Sequence, residues 1–268
     1  MADAYNKENL GAGARGGIYI TKGVFRVFFY LMQPIMMYNW ILITAAIVPA
    51  IFLMIRVYKA DRMEKESGYL LRSLVIGGIL ATLLAQVEER IGEWILYRNV
   101  MPGTTLYNVI LYFVVVGVAE ETSKFIMMRS RTWDNPEFNC QYDGVVYAVF
   151  VSLGFALWEN ISYVLTYGFS TALVLAVTAV PGHACFGVFM GIFYGIAKKH
   201  ENRGNHRAAL GYQALSIVAP VVMHGAYDYI ASMEQIHSGW VFVAFIALMF
   251  IITFRLVGRA AKDDQYIG

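Results

Sequence analysis

Long apolar runs alternate with short polar segments along most of this chain. A helix needs about 20 apolar residues to cross the ~30 Å hydrocarbon core of a bilayer, and about seven runs reach that length. They occupy roughly residues 35–56, 70–92, 106–128, 143–165, 171–197, 210–232 and 238–257. The pattern predicts an all-α protein, a polytopic transmembrane helix bundle of about seven spans with a short helix before them.

That short helix belongs to an N-terminal part of different composition. Residues 1–23 are polar and rich in glycine, which predicts a flexible segment. Residues 24–33 are mainly aromatic and aliphatic and end before Pro34, which predicts a short helix lying in the membrane interface. We therefore expect three parts: the flexible N-terminus with its interfacial helix (1–34), the transmembrane bundle (35–257) and a C-terminal tail (258–268).

The distribution of basic residues predicts how the bundle is oriented. Lys and Arg are concentrated around residues 56–72, 129–131 and 198–207 and in the C-terminal tail, whereas the intervening loops hold almost none. Cytoplasmic loops carry the excess of Lys and Arg in membrane proteins, so these loops and the C-terminus are expected in the cytoplasm. The N-terminus is then expected outside, although its own basic residues do not follow this pattern.

Composition narrows the class of protein further. Hydrophobic residues make up 58% of the 268 residues and charged residues 15%, whereas roughly a quarter of a soluble domain is charged. The 21 basic and 19 acidic residues nearly cancel, which argues against nucleic acid as a partner, since binding it needs a clustered basic surface. Cys140 and Cys185 are too few for a disulfide framework or a four-cysteine zinc site. The lipid bilayer is the expected environment.

Ionisable residues interrupt the spans at positions where lipid would disfavour them. Such a group costs about 2.5–3.5 kcal/mol at the bilayer centre, so these side chains must face one another, the bundle interior or a hydrated cavity. They form either a structural network of ion pairs or a functional site. They are Glu120, Glu121, Lys124, Glu159, His183, His224 and Asp228. A second group, Glu88, Glu89, Arg90 and Glu93, is interpreted as an interfacial end of the second span, with a place in the wall of the same cavity as the alternative.

The third span carries the sequence Glu-Glu-x-x-Lys. Glu120 and Lys124 are one helical turn apart with the acid on the N-terminal side, which is the favourable order for an ion pair. Glu121 can approach the same lysine at a spacing of three residues. Adjacent carboxylates titrate apart, as acid–base chemistry requires, so we expect the lysine to hold one carboxylate ionised while the other faces substrate or water.

The next three spans add aromatic, carboxylate and imidazole groups. Phe155 and Glu159 share one helical face, so an aromatic wall lies one turn from the carboxylate, and Asn160 follows directly. His183 and His224 each come shortly after a proline, and a proline removes a backbone donor and predicts a break in the helix.

Two spacings indicate how these histidines are held. Asp228 lies one turn after His224, so it can accept a hydrogen bond from one ring nitrogen while the other nitrogen faces a reacting atom. Gly187, Gly191 and Gly195 recur at intervals of four after His183 and predict a small-residue face that a neighbouring helix approaches closely. Residue counting places Glu120 and His224 at different depths, so their convergence requires tilted or staggered helices.

Taken in order, these motifs resemble those of the PrsW family of intramembrane proteases, which is related to the CAAX prenyl endopeptidases and to bacteriocin-processing proteins. The resemblance covers about residues 115–230 and also includes Asp143-Gly144 ahead of the Phe/Glu motif. The CAAX endopeptidases have an arginine after the paired glutamates and a histidine at the end of the second motif. Lys124 and Glu159 stand at those positions here and favour the PrsW branch.

The resemblance implies hydrolysis of a peptide bond in or near the membrane-spanning segment of a single-pass membrane protein. Bacterial members of the family are associated with cleaving anti-sigma factors in envelope-stress signalling, which implies a multi-pass protein of the bacterial plasma membrane. By analogy, Glu120 is expected to act as general base on a water, with Glu121 and Lys124 holding its position and ionisation.

The remaining roles also follow from the resemblance. His183 and His224, the latter oriented by Asp228, are expected to polarise the carbonyl and stabilise the oxyanion, while Glu159 protonates the leaving amine. The expected substrate-binding residues are Phe155 and Asn160, and no cofactor is expected.

Three other functions stay open at this point. A metal-dependent protease would use His183, His224, Asp228 and Glu159 as zinc ligands, although no His-Glu-x-x-His sequence is present. A proton-coupled transporter also places carboxylates beside broken helices, but the chain has no convincing internal repeat of the kind many transporters have. A membrane scaffold without catalytic activity is the third alternative.

Overall fold

Every long apolar run of the sequence forms a helix. In lipid each backbone N–H and C=O must be paired within its own segment, which leaves a helix as the structure available to a single apolar run. The structure, a computed structural model, describes residues 2–233 and 238–267, without the side chains of residues 2–28, 31, 172 and 238. The helices are α1 (Ala2–Ala60), α2 (Gly68–Asn99), α3 (Thr105–Val109), a π-helical segment (Ile110–Val116), α4 (Gly117–Thr132), α5 (Asp143–Tyr167), α6 (Phe169–Val177), α7 (Ala179–Asn202), α8 (His206–Ala231) and α9 (Ser238–Lys262).

Six helices in the described ranges are long and apolar enough to cross a membrane. They comprise Met32–Ala60 of α1, then α2, α5, the pair α6 and α7, then α8, and Gly239–Lys262 of α9. Seven spans were expected, and the predicted third span is the one that does not form a single helix of that length. The π-helical segment divides it, so α4 has only 16 residues, yet the stretch remains helical and packs against α2, α5 and α8. The prediction of an all-α polytopic bundle is confirmed.

The N-terminal part differs from the prediction. A single helix, α1, runs from Ala2 to Ala60 and passes through Pro34 and Pro49. The predicted flexible segment and interfacial helix are therefore the first half of a longer helix, and no element ends at residue 34. A proline removes one hydrogen bond, whereas unwinding an apolar helix in lipid would leave several backbone groups unpaired.

The two prolines that precede the histidines differ in their effect. The fifth predicted span breaks at Thr178, between α6 and α7. Pro181 is the third residue of α7, in the first turn, where a backbone donor has no partner within the helix. Pro220 lies inside α8, which continues from His206 to Ala231. The predicted break is therefore confirmed near Pro181 and wrong at Pro220.

Helix α5 forms the centre of the bundle, and glycines let its neighbours approach it. Residues 143–156 of α5 are all buried. A methyl group added at Gly191 of α7 would collide with the backbone of Gly144 and Val145. This contact confirms the predicted small-residue face on α7. Gly78 of α2 meets the backbone of α5 in the same way, so α5 is enclosed on two sides.

The C-terminal tail and the loops before α2 and α5 lie at one end of the bundle, where they contact one another. The tail, residues 263–267, pairs with the loop before α5 through one antiparallel β-bridge, and Ile267 is buried in the core. Ser67, just before α2, donates hydrogen bonds of 2.7 and 2.9 Å from its N–H and hydroxyl groups to the Glu137 carboxylate. The segments that carry the basic residues thus meet at one end of the molecule, as the charge pattern predicts.

Glu66 is a buried carboxyl group at this same end. The Tyr147 hydroxyl donates a hydrogen bond of 3.0 Å to its Oε2 atom. Burial, together with the neighbouring Asp143 carboxyl, raises the pKa of Glu66 from 4.5 to about 9. Glu66 therefore holds a proton at neutral pH, and this end of the bundle carries less negative charge than the sequence alone indicates.

The contact between α5 and α7 predicts the effect of enlarging Gly191. Gly191→Ala should lower the free energy of unfolding by about 1–3 kcal/mol, because the added methyl group forces two packed backbones apart. Thermal unfolding of the purified protein in detergent measures this change. The control is Gly211→Ala in α8, where a methyl group meets only open space and should stabilise the helix by roughly 0.5–1 kcal/mol. Equal effects of the two substitutions would contradict the close packing.

Candidate active site

The ionisable residues predicted from four spans meet in one place. Their side chains come from α4, α5, α7 and α8 and are linked by hydrogen bonds and ion pairs. The set comprises Glu120, Glu121, Lys124, Glu159, His183, His224 and Asp228. Side chains that would each be costly in lipid thus satisfy one another inside the bundle.

Lys124 lies at the centre of this group. Its ammonium donates to Glu120 Oε2 at 2.9 Å and to Glu121 Oε1 at 2.8 Å, and lies 3.2 Å from His183 Nδ1. A lysine ammonium has three donors and no acceptor, so these three contacts use every donor it has. The side chain is fully buried, and its ammonium lies 4.0 Å from the centre of the Phe155 ring. One buried cation therefore joins two glutamates to a histidine of another helix.

The ammonium fixes the protonation of the His183 ring. Because Lys124 can only donate, His183 Nδ1 must accept, and the proton of the neutral ring then lies on Nε2. Nε2 is 2.8 Å from Glu159 Oε2, so His183 donates to Glu159. These two hydrogen bonds, from Lys124 to His183 and from His183 to Glu159, connect α4 through α7 to α5.

His224 contacts carboxylates through both ring nitrogens. Nδ1 is 2.9 Å from Glu121 Oε1, and Nε2 is 3.3 Å from Asp228 Oδ2. The predicted pairing with Asp228 is confirmed, whereas the expectation that the second nitrogen is free is wrong, because Glu121 occupies it. Both nitrogens can donate only when the ring is an imidazolium.

Aromatic rings pack around the two histidines. Phe186 stacks on the His224 ring with 4.8 Å between centroids and also contacts His183 edge-on. Phe155 lies 5.7 Å from the His183 ring centroid. Sequence reasoning found Phe155 but missed Phe186, although its position three residues after His183 puts the two side chains on one face of α7.

The π-helical segment and Gly117 bring α4 to its position. A methyl group at Gly117 would lie 3.2 Å from the Val221 carbonyl oxygen of α8, so the two helices approach closely there. The π-helical bonding from residue i to i+5 alters which residues of the following helix face a neighbour. His224 Nδ1 lies 3.8 Å from Glu120 Oε2, so the stagger that residue counting required between the two helices is present.

A cavity of about 610 Å³ opens on one side of this group. Glu120, Glu159, His183, His224 and Asp228 all contribute to its wall. Neither Glu121 nor Lys124 does, and both are fully buried. The two adjacent glutamates therefore differ: Glu120 faces the cavity and Glu121 faces the interior.

The two predicted substrate-binding residues lie in different positions. Asn160 lines the cavity, donates a hydrogen bond of 3.1 Å to the Ala46 carbonyl, and has a buried Oδ1 atom without a donor among the described residues. That oxygen is itself buried, so it is not exposed to a molecule in the cavity. Phe155 is buried beneath Lys124 and supports the site from below that cavity.

Comparison with known proteins places this site in a family. Residues 65–256 match the family described as PrsW family intramembrane metalloprotease. The chain belongs to the PrsW family. It is 31% identical to the Protease PrsW of Halalkalibacterium halodurans over 225 residues, which are 84% of this chain and 99% of that protein. It is 30% identical to the Protease PrsW of Bacillus subtilis over 228 residues, or 85% and 97% of the two chains. No solved structure matches the chain.

Family membership makes this chain a peptidase, and its apolar helices make it a multi-pass membrane protein. The matched region contains every residue of the candidate site and extends from the loop before α2 into α9. The resemblance that the motifs predicted is therefore confirmed over a longer part of the chain than the motifs themselves cover.

The description of the PrsW family implies a metal, and three residues lie close enough together to be tested as ligands. In the described part of the chain, Glu120, Glu121 and His183 are the one group of three or more His, Cys, Asp or Glu residues whose candidate ligand atoms lie within 4.8 Å of one another. The Lys124 ammonium already contacts all three. A metal cation there would face a buried like charge, and such repulsion is large where water is excluded. This arrangement does not fit a metal.

The ligand set predicted for zinc is divided into two pairs. His183 is hydrogen-bonded to Glu159, and His224 faces Asp228. In each histidine, Nε2 is directed at one of these carboxylates rather than left free for a metal. The Nδ1 atom of His183 faces Lys124, and the Nδ1 atom of His224 faces Glu121.

The central ion pairs predict that removing the Lys124 charge destabilises the fold. Lys124→Met should lower the free energy of unfolding by about 3–5 kcal/mol, because two buried carboxylates lose their cation. Adding Glu121→Gln should restore part of this loss, because one of those charges is then absent. Denaturant unfolding in detergent measures both changes.

The matched control is Lys59→Met, since Lys59 is an exposed lysine near the end of α1. It should change the free energy of unfolding by less than about 0.5 kcal/mol. Native stability of the Lys124→Met protein would show that the carboxylates do not depend on this cation.

Proposed function

We propose that this PrsW-family peptidase is an intramembrane endopeptidase of the glutamic type. It hydrolyses a peptide bond in or near the membrane-spanning segment of a single-pass membrane protein, and Glu120 activates the attacking water. The proposal rests on the asymmetry of the two glutamates. Glu120 lines the cavity, whereas Glu121 is buried between Lys124 and His224.

Glu120 meets the geometric requirement for a general base. A base must reach the water it deprotonates, so its carboxylate has to face the space in which substrate and water bind. Lys124 binds Glu120 through Oε2 alone, which leaves Oε1 for a water in the cavity. Glu121 accepts from Lys124 and His224 with one oxygen and holds both cations in position.

The histidines act on the carbonyl that the water attacks. The Nε2 atoms of His183 and His224 both lie beside carboxylates that line the cavity. When a substrate carbonyl replaces those contacts, the two N–H groups donate to its oxygen and stabilise the developing oxyanion. Glu120 takes a proton from the attacking water, this proton passes to Glu159, and Glu159 delivers it to the leaving amine as the C–N bond breaks. Glu121, bonded to Nδ1, keeps the His224 ring oriented when the carbonyl takes the place of Asp228.

The position of the site within the helices supports a membrane-embedded substrate. A transmembrane helix shields its peptide bonds with its own hydrogen bonds, so the substrate must unwind before a water can attack. Asn160 lines the cavity next to Glu159 and contacts the unwound strand there. The proposed location is the bacterial plasma membrane with the basic loops and C-terminus in the cytoplasm, and the proposed substrate resembles a single-span anti-sigma factor.

The proposal predicts the loss of cleavage when the reacting groups are removed. Glu120→Gln, His183→Ala and His224→Ala should each lower kcat for a single-span peptide by about 100-fold or more, because each removes the base or an oxyanion donor. The assay uses purified protein in lipid vesicles, with unfolding measurements to establish that each variant is folded. Glu201→Gln is the control, because Glu201 pairs with the exposed His206 far from the cavity. Full activity of Glu120→Gln would end the proposal.

The site also predicts resistance to metal removal. Because an ammonium occupies the centre of the candidate ligands, cleavage should continue at its native rate after exhaustive dialysis against a chelator. Metal analysis of the same sample accompanies the assay. Loss of cleavage that returns on adding zinc would instead favour the metal-dependent mechanism.

A further inference from the structure

A second cavity meets the first at the proposed catalytic carboxylates. It has a volume of about 480 Å³ and lies between α2 and α5. Glu89, Glu120, Glu159 and Tyr163 line both cavities. These carboxylates therefore border two cavities, so a strand bound at them can extend toward either one.

The second cavity has the shape and polarity for an extended peptide. Helices α2 and α5 touch at Gly78 and Gly154 and separate further along. The wall carries polar side chains of both helices, among them Gln86 and Thr166. From Glu159 to Thr166 α5 rises about 10 Å, which equals roughly three residues of an extended strand. The space thus accommodates about three substrate residues on one side of the cut bond.

Glu89 is the unpaired carboxylate at this junction. Glu120 is paired with Lys124, and Glu159 with His183. Glu89 forms no hydrogen bond or ion pair with any residue in the described ranges. Arg90, next to it on α2, also lines the second cavity but forms no ion pair with Glu89. An unpaired carboxylate in a span is costly, and a cation from a bound molecule would remove that cost.

We propose that Glu89 is a specificity-determining residue that binds a lysine or arginine side chain of the substrate. The basic residue lies within about three positions of the cut bond, on the side that occupies the second cavity. This inference rests on the proposed peptidase function and adds a substrate class to it: single-span segments with a basic residue beside the unwound region. A charge-assisted hydrogen bond to the carboxylate supplies the selectivity.

A peptide series with one variable charge tests this inference. A single-span peptide that the native protein cleaves carries Lys, Gln or Glu at each of the three positions on either side of the cut. Lys should raise kcat/KM over Gln by about tenfold or more at one position, on one side only, and mainly through KM, because the contact is made in both ground and transition states.

Two variants of Glu89 and one control complete the test. Glu89→Gln should remove the preference for Lys, and Glu89→Lys should reverse it in favour of Glu. The control is Glu88→Gln, because Glu88 accepts from Ser123 and lines neither cavity, and it should keep the native preference. Reversal by Glu89→Lys also shows that the effect is a charge contact rather than altered packing.

The outcomes separate this inference from the function on which it rests. Cleavage by the native protein without any charge preference, or a preference that persists in Glu89→Gln and Glu89→Lys, overturns the role of Glu89 and leaves the peptidase proposal standing. Failure of the native protein to cleave any peptide of the series overturns both.

Discussion

The buried ammonium of Lys124 is the interaction on which the rest of the site depends. Its three donors go to two carboxylates of its own helix and to an imidazole of α7. Because it can only donate, it sets the tautomer of His183, which then donates to Glu159 of α5. One charge thus orders side chains of three helices. Its removal would break the ion pair of Glu120 and leave Glu121 with the His224 ring alone.

The same ammonium accounts for the different environments of the adjacent glutamates. Residues next to each other in a helix point about 100° apart, so only one of them can face the cavity when both reach the same cation. Glu121 turns inward and is also bonded to His224. Glu120 turns to the cavity and keeps one oxygen away from the lysine. The space between the two glutamates and His183 is filled by a cation that the chain supplies itself.

The site could be predicted from the sequence where spacing within one helix decides the contact. The pairs Glu120–Lys124 and His224–Asp228 lie one turn apart, and both contacts are present. Contacts between helices depend on rotation and stagger, which no single segment encodes. The sequence therefore missed the bond from Glu121 to His224 and the stacking of Phe186.

The same distinction applies to the fold. Apolar run length predicted the helices, because lipid leaves the backbone no other way to pair its polar groups. It did not predict the π-helical segment before α4 or the continuity of α1 and α8 through their prolines. Those features depend on packing against neighbouring helices. A proline shows only that one backbone hydrogen bond is missing, not whether the neighbours keep the helix intact.

Burial along α5 explains how one helix serves both stability and access. Residues 143–154 are buried against α2 and α7 and line neither cavity, whereas the helix from Phe155 onward borders both. Phe155 lies at this boundary and lines the second cavity, and Glu159 lies one turn beyond it. Phe155 packs beneath the Lys124 ammonium, and Glu159 faces the cavity with a quarter of its side chain exposed. The open half therefore gives access to the carboxylates of the candidate site, and the packed half holds them in place.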